Sequence, residues 1–212
     1  MFNELYTLLF EHYGDLSWWP SDSDDETIIG CILTQNTSWK NVEKAIKTMK
    51  EAGVDSLVKI NGMSQEELKD LIKSSGFYNQ KSRYLMNIAG SIIENYGNIE
   101  NMKNNNPNEI MNFISSIAGV GNETMESIML YALNYHIFVV DTYTFRFIKR
   151  YYSMEMTRRE IRNYAEEEFK EVYQLKNFHG MLVNLGKDYC RKKPLCNSCF
   201  LNKICLFGKI NI

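Results

Sequence analysis

Apolar residues recur every three or four positions along most of the chain, a spacing that predicts helices. A first helix is predicted at Phe2–Tyr13. A second, at Thr27–Leu33, is apolar on nearly every side, which is typical of a helix at the centre of a bundle. Few stretches alternate between apolar and polar residues, and the chain has only three prolines. The pattern therefore predicts an all-α protein, with further helices at Trp39–Glu51, Ser64–Ser74, Asn79–Tyr96, Thr157–Val172 and Phe178–Tyr189 and a loop at residues 101–106.

Two glycines one residue apart lie between two predicted helices, at residues 107–117 and 124–133. The sequence Gly119-Val120-Gly121 allows a tight turn, so residues 117–121 are expected to form a hairpin with backbone N–H groups close to a helix N-terminus. Unpaired amides and the helix dipole both favour an anion. The hairpin is therefore expected to bind a phosphate oxygen.

An apolar run, Ile137–Val140, stops abruptly at Asp141, and the residues from Thr142 onward predict another helix. Asp141 can cap that helix and at the same time present a carboxylate at the edge of an apolar wall. A helix cap alone is the commoner role for such an aspartate. Because a phosphate-binding hairpin precedes it, we interpret Asp141 as a catalytic acid acting on a nucleic acid.

Four of the five cysteines are concentrated in the last 23 residues, and only one pair has the two-residue spacing of a zinc knuckle. Such dense cysteines predict metal ligands rather than disulfides if the protein is intracellular. The five-residue loops on either side of the pair favour an object larger than one zinc ion. A [4Fe–4S] cluster is the first expectation and zinc the alternative, with the ligands Cys190, Cys196, Cys199 and Cys205.

The net charge of −2 argues weakly against nucleic acid binding, but the basic residues are unevenly spread. Around the terminal cysteines, six lysines and arginines accompany a single acid, Asp188. A ligated loop with so many cations is expected to contact phosphates, through Arg191, Lys192 and Lys193.

No stretch of the sequence approaches the roughly 18 consecutive apolar residues that span a membrane. The first residues also lack the basic start and apolar core of a signal peptide. We therefore expect a cytoplasmic protein that does not interact with membranes.

Several motifs together resemble the helix-hairpin-helix DNA glycosylases of the endonuclease III superfamily: Leu33–Thr37, Gly119–Gly121, Val139–Thr142 and the four terminal cysteines. The resemblance implies an all-α, two-lobed fold. A six-helix barrel domain at residues 23–135 would contain the hairpin, and a discontinuous domain of residues 1–22 and 136–212 would hold the cluster loop at 190–205. It also implies that Asp141 is the catalytic carboxylate and that the partner of this monomer is double-stranded DNA with a damaged base.

The hairpin departs from this family at one position that decides the reaction. Bifunctional members carry a lysine, in the pattern Gly-Val-Gly-Arg-Lys-Thr, that attacks the sugar and cleaves the strand through a Schiff base. The matching residue is Glu123. A carboxylate cannot form an imine, so no β-lyase activity is expected.

Three other stretches look like the bacterial 3-methyladenine DNA glycosylase branch: Trp18-Trp19-Pro20, Ser75–Lys81 and Phe178-His179-Gly180. In that branch the Trp-Trp-Pro segment helps form the base pocket, which implies pocket roles for Trp18 and Trp19. The alternative is that both indoles fill the core. Tyr143 and Lys187 are the other expected pocket residues. For Lys187, the alternatives are a phosphate contact and a solvated surface charge.

Gln35 lies where family members insert a residue into the space left by the flipped base. It is therefore expected to contact DNA, and the alternative is an amide that satisfies backbone carbonyls at a helix end. The resemblance as a whole implies a nucleoid-associated, monofunctional glycosylase of base excision repair. It would hydrolyse the N-glycosidic bond of a flipped alkylated purine such as 3-methyladenine. The alternatives are a thymine or uracil mismatch glycosylase and a non-catalytic DNA-binding protein.

Overall fold

The structure, a computed structural model, describes residues 1–210. These residues form helices and no strand, which confirms the predicted all-α class. Among them, no helix has both the length and the apolar character of a membrane span. The helices are α1 (Phe2–Tyr13), α2 (Asp24–Leu33), α3 (Trp39–Glu51), α4 (Leu57–Asn61), α5 (Gln65–Ile72), α6 (Tyr78–Tyr96), α7 (Ile99–Lys103), α8 (Pro107–Ser116), α9 (Asn122–Ser127), α10 (Thr142–Tyr152), α11 (Arg158–Glu168), α12 (Val172–Asp188) and α13 (Leu206–Ile210).

The chain divides into two compact units. We call residues 19–135 the hairpin unit; the acid unit consists of Met1–Trp18 and the described residues from His136 onward. The division falls between Trp18 and Trp19. The two neighbouring tryptophans therefore lie in different units, whereas the predicted boundary at residue 23 places residues 19–22 in the acid unit.

The hairpin unit is built around α2. Every residue of this helix from Glu26 to Leu33 is buried, as its all-round apolar pattern predicted. Helix α6 packs against α2 and buries Leu85, Ile88 and Ile92, which share one face of the helix.

The acid unit has an aromatic core. The Phe178 ring on α12 lies 5.5 Å from that of Phe2, 5.5 Å from that of Phe138 and 4.9 Å from that of Phe169, measured between ring centroids. Buried aromatic pairs of this kind contribute about 0.5–1.5 kcal/mol each beyond the area they bury. They fix α1 and the apolar run before Asp141 against α12.

The predicted loop at residues 101–106 was partly wrong, because α7 begins at Ile99 and extends to Lys103. Asparagines are weak helix formers, which suggested a loop. However, the side chain of Asn98 caps the helix by accepting a hydrogen bond from Asn101 N at 2.8 Å. Ile99 and Met102 are buried three residues apart, and this burial outweighs the low propensity.

A buried lysine connects the end of α2 to the segment before α6 in the hairpin unit. Lys81 on α6 is 2% exposed, and its Nζ donates to the carbonyls of Leu33 and Ser75, both at 2.7 Å. Burial lowers the pKa of Lys81 to about 8. A neutral amine still has two N–H groups and can satisfy both carbonyls.

The free energy of unfolding of Lys81→Met should therefore fall further below that of the parent as the pH rises. The unfolded chain keeps the Lys81 proton up to its ordinary pKa, whereas the folded chain releases it near pH 8, so the parent gains stability as pH rises through this window. Denaturant unfolding should show the stability gap growing by about 2 kcal/mol between pH 7 and pH 10. Lys44→Met, at an exposed lysine, is the control, and its difference in unfolding free energy from the parent should not change with pH. If the difference for Lys81→Met is also independent of pH, the prediction is wrong.

Candidate active site and DNA-binding elements

Asp141 is the N-cap of α10, as the sequence predicted. Its Oδ1 accepts hydrogen bonds from the backbone N of Thr144 at 2.7 Å and from the Thr144 hydroxyl at 2.8 Å. Only 5% of the residue is exposed. Two donors from one residue fix the orientation of the carboxylate and direct Oδ2 away from the cap.

The Oδ2 atom lies 3.7 Å from Nε2 of His179, which is also buried. Burial raises the pKa of Asp141, but the His179 and Thr144 interactions outweigh burial and hold the pKa below its usual value. The carboxylate is therefore ionised at neutral pH in a largely dehydrated setting, where a negative charge has its strongest effect on a nearby cation.

Trp18 packs directly on α12 at a position without a side chain. A Cβ at Gly180 would lie 2.7 Å from Cγ of Trp18, so only glycine allows the indole this close. Lys187, two turns along the same face of α12, places its Nζ 5.1 Å from the indole centroid. Partial burial lowers the pKa of Lys187, although the charges of Asp141 and Asp188 act in the opposite direction.

The segment before Trp18 is also held by α12. Asn177 is buried; its Oδ1 accepts from Leu16 N at 3.1 Å and its Nδ2 donates to the Gly14 carbonyl at 3.5 Å. Sequence reasoning missed Asn177 because an asparagine in a helix has no spacing that marks a distant contact.

Tyr143 lies against Gly186 of α12, where a Cβ would overlap the tyrosine ring. The Arg146 guanidinium is 4.9 Å from the centroid of the same ring, and its Nε donates to the Cys190 carbonyl at 2.7 Å. The structure thus brings Asp141, Tyr143, Trp18 and Lys187 onto or beside α12.

Trp19 has different surroundings. Its indole belongs to the hairpin unit and contacts Trp39 and Tyr131, with ring centroids 5.3 Å and 4.9 Å away. It also lies 3.4 Å from the position that a Cβ would take at Gly30. These contacts agree with the core-filling alternative, and a contact between Trp19 and a base stays a prediction.

The hairpin at residues 117–121 adopts the predicted turn. Gly119 has a φ of 103°, and a Cβ there would overlap the ring of Tyr84 on α6. The backbone conformation and the packing therefore each require glycine at this position. Val120, however, is buried, and its N–H donates to the Ile117 carbonyl at 3.1 Å. The expectation of an exposed amide was therefore wrong for Val120, because the turn closes on itself through that group.

Gln35 is used inside the protein. Its Nε2 donates to the Gly119 carbonyl at 3.0 Å and to the Thr124 hydroxyl at 3.1 Å. Glu123 lies in the first turn of α9 and is exposed.

All four terminal cysteines line one apolar cavity of the acid unit, together with Phe147, Leu185 and Phe207. The Cys190 sulfur accepts from Nη1 of Arg150 at 3.4 Å, and the Cys205 sulfur accepts from Gly208 N at 3.4 Å. Such N–H donors commonly surround thiolate ligands. As the side chains stand, no three His, Cys, Asp or Glu residues within 1–210 are arranged to hold a metal ion. The residue types and their shared cavity fit a cluster.

The cations after Cys190 are exposed, while their backbone is held from α10. Arg150 donates to the carbonyls of Arg191 at 2.6 Å and Lys192 at 3.1 Å. The side chains of Arg191, Lys192 and Lys193 are exposed, which leaves them accessible to phosphates.

Comparison with known proteins identifies the family. Residues 29–171, more than half of the chain, match the family described as HhH-GPD superfamily base excision DNA repair protein. The chain belongs to the HhH-GPD superfamily. This confirms the resemblance to helix-hairpin-helix glycosylases, and membership makes the protein a DNA-binding DNA glycosylase of base excision repair.

Individual relatives agree with this assignment. The chain is 40% identical over 217 residues to a protein of Methanocaldococcus jannaschii assigned as a DNA repair glycosylase, covering 97% of this chain and 96% of that one. The crystal structure of the H. pylori 3-methyladenine DNA glycosylase bound to 1,N6-ethenoadenine is similar at 26% identity and a TM-score of 0.71, covering 87% and 96% of the two chains. A non-covalent endonuclease III–DNA complex shares the fold, with a TM-score of 0.81 at 20% identity and coverage of 99% and 96%.

Gly180→Ala should destabilise this HhH-GPD protein by about 1–3 kcal/mol, because the new methyl group collides with Trp18. Denaturant unfolding and tryptophan fluorescence measure the effect. Gly90→Ala is the matched control in α6, where the nearest atom to the new Cβ is Asn61 Oδ1 at 3.3 Å, and it should change stability by less than about 1 kcal/mol. Equal stability of both variants, with unchanged fluorescence, would contradict the close packing of Trp18.

Proposed function

We propose that this HhH-GPD protein is a monofunctional DNA glycosylase that hydrolyses the N-glycosidic bond of alkylated purines in duplex DNA. The observation that carries the proposal is the buried, oriented carboxylate of Asp141 in the same unit as an indole and a lysine on α12. The carboxylate could stabilise positive charge on the sugar, and the flat indole could stack against the base.

The reaction needs a flipped nucleotide, because the glycosidic bond cannot be reached within the base stack. As the base departs, the sugar acquires positive charge, which the Asp141 carboxylate stabilises. The same carboxylate orients a water molecule and accepts its proton as the water attacks the sugar carbon. Thr144 keeps the carboxylate in place, and His179 helps to keep it ionised.

Trp18 supplies the proposed stacking surface for the base. Lys187 already lies over this indole, so a cationic 3-methyladenine would share the ring with an ammonium group. The lowered pKa of Lys187 reduces this repulsion, because deprotonation costs less than for an ordinary lysine. A panel containing both cationic 3-methyladenine and neutral 1,N6-ethenoadenine would establish which purine the site prefers.

Asp141→Asn should lower the rate of base release by about 10²–10⁴-fold, measured as free 3-methyladenine from alkylated duplex. Asparagine also caps helices well, so stability should change little. Because the Asp141 pKa is low, the parent should remain active at pH values down to the ordinary aspartate range. Asp25→Asn is the control, since Asp25 accepts from Leu57 N in the hairpin unit. Base release by Asp141→Asn at the parent rate would refute the catalytic role.

No covalent adduct should form when the parent is mixed with abasic duplex and borohydride, because Glu123 cannot form an imine. Glu123→Lys restores an amine at this position and should give a trapped adduct on a denaturing gel. If the parent itself is trapped, the protein is not monofunctional. Lys187→Met would then show whether Lys187 is the attacking amine.

We further propose that the cavity beside α10 holds a [4Fe–4S] cluster, with Cys190, Cys196, Cys199 and Cys205 as ligands and zinc as the alternative. When bound, the cluster would join the four thiolates and stiffen the loop. Arg150 and Arg146 hold the backbone of this loop from α10, so that Arg191, Lys192 and Lys193 are presented to phosphates.

The purified protein should absorb at about 400 nm and contain about four iron atoms per chain. Cys199→Ser should lose much of this absorbance, whereas Cys31→Ser, a buried cysteine outside the cavity, should retain it. One zinc per chain without the absorbance would favour the alternative metal.

A further inference from the structure

The loop after α2 contains two adjacent amide side chains with opposite surroundings. Gln35 is half-buried and bonds to Gly119 and Thr124, whereas Asn36 is exposed and has a left-handed φ of 53°. We propose that Gln35 is a positioning residue that holds the hairpin, and that Asn36 is the side chain of this loop that enters the duplex beside the flipped nucleotide. The proposal rests on the glycosylase function proposed above and reassigns the DNA contact predicted for Gln35.

Two carbonyls of the hairpin, those of Ala118 and Gly119, are hydrogen-bonded by side chains from outside it. Ala118 and Gly119 lie outside any helix, and their carbonyls accept hydrogen bonds from two side-chain amides on different elements. Asn87 of α6 donates to the Ala118 carbonyl and Gln35 to the Gly119 carbonyl, both at 3.0 Å. These two bonds take the place of the backbone hydrogen bonds that a helix or a sheet would provide.

The two amides also fix the direction of the hairpin N–H groups. In a trans peptide the N–H points opposite to the preceding carbonyl. The bond from Asn87 therefore turns the Gly119 N–H away from α6, and the bond from Gln35 turns the Val120 N–H towards Ile117, to which it donates. Gln35 would therefore control the shape of the hairpin that is expected to bind a phosphate oxygen, without touching DNA itself.

Moving Gln35 into a duplex would break both of its hydrogen bonds. Each contributes about 0.5–1.5 kcal/mol net, and the half-buried Gly119 carbonyl would lose its partner. Moving the Asn36 side chain into a duplex would not carry this cost, because the side chain is already exposed. Its left-handed backbone is one that asparagine tolerates better than most residues.

The experiment compares affinity for an intact duplex with affinity for a duplex containing a stable tetrahydrofuran abasic analogue. Gln35→Met and Thr124→Val should each weaken binding to both duplexes by roughly 3- to 10-fold and leave the ratio of the two affinities unchanged. Their effects should not add fully in the double variant, since both remove the hydrogen bond between Gln35 and Thr124. Thr48→Val is the matched control, because the Thr48 hydroxyl bonds only within its own helix, to Lys44, and it should change neither affinity.

Asn36→Gly removes the side chain while keeping the left-handed backbone favourable. It should lower the ratio of abasic to intact affinity by roughly 3- to 10-fold, and it should reduce the fluorescence change of 2-aminopurine placed opposite the analogue. Gln35→Glu, a second variant of the same size, should behave like Gln35→Met. Circular dichroism on every variant confirms that the comparison is made between folded proteins.

The opposite pattern would overturn the assignment: a lower affinity ratio for Gln35→Met, no coupling to Thr124→Val, and no effect of Asn36→Gly. The readouts are binding constants and the fluorescence of a bound duplex, so they do not depend on base release. Unimpaired catalysis in Asp141→Asn would therefore overturn the proposed function and leave the roles of Gln35 and Asn36 to be decided by these measurements.

Discussion

The hydrogen bonds between Asp141 and Thr144 are the interaction on which the acid unit depends. They begin α10 by satisfying an N–H group that no helical carbonyl can reach, and they also orient the carboxylate proposed to act on the sugar. The positive end of the helix dipole further stabilises the negative charge at this position. Capping and the proposed catalytic role therefore do not compete at Asp141, because the hydrogen bonds of the cap hold the carboxylate in one orientation.

The packing of the acid unit also depends on two glycines of α12. Glycines in a helix interior cost about 1 kcal/mol each relative to alanine, and α12 contains two of them, at Gly180 and Gly186. Trp18 and Tyr143 occupy the space that the missing methyl groups leave. The loss of helix propensity is offset by aromatic packing, and α12 becomes the surface on which the proposed pocket is assembled.

Arginines four residues apart on α10 connect the acid to the cysteine loop. Arg146 and Arg150 lie on one face of the helix and donate to carbonyls of residues 190–192. The helix that Asp141 caps therefore also holds the backbone of the cation-bearing loop. In the hairpin unit, side-chain amides perform the comparable task, because a turn of five residues has too few internal hydrogen bonds to fix its own shape.

Short-range patterns in the sequence determined much of this protein. The helical class, the ends of α1 and α3, the cap at Asp141 and the turn at Gly119 all depend on residues within a few positions of one another, and there periodicity and capping chemistry act directly. Family motifs added the superfamily, which the comparisons confirmed. Tertiary structure decided the rest. Only packing between distant segments separates Trp18 from its neighbour Trp19, pairs His179 with Asp141 and places Gln35 on the hairpin. Contacts across 38 to 162 residues, such as these, leave no periodic signal in a sequence, because they depend on where whole helices lie rather than on the residues beside them.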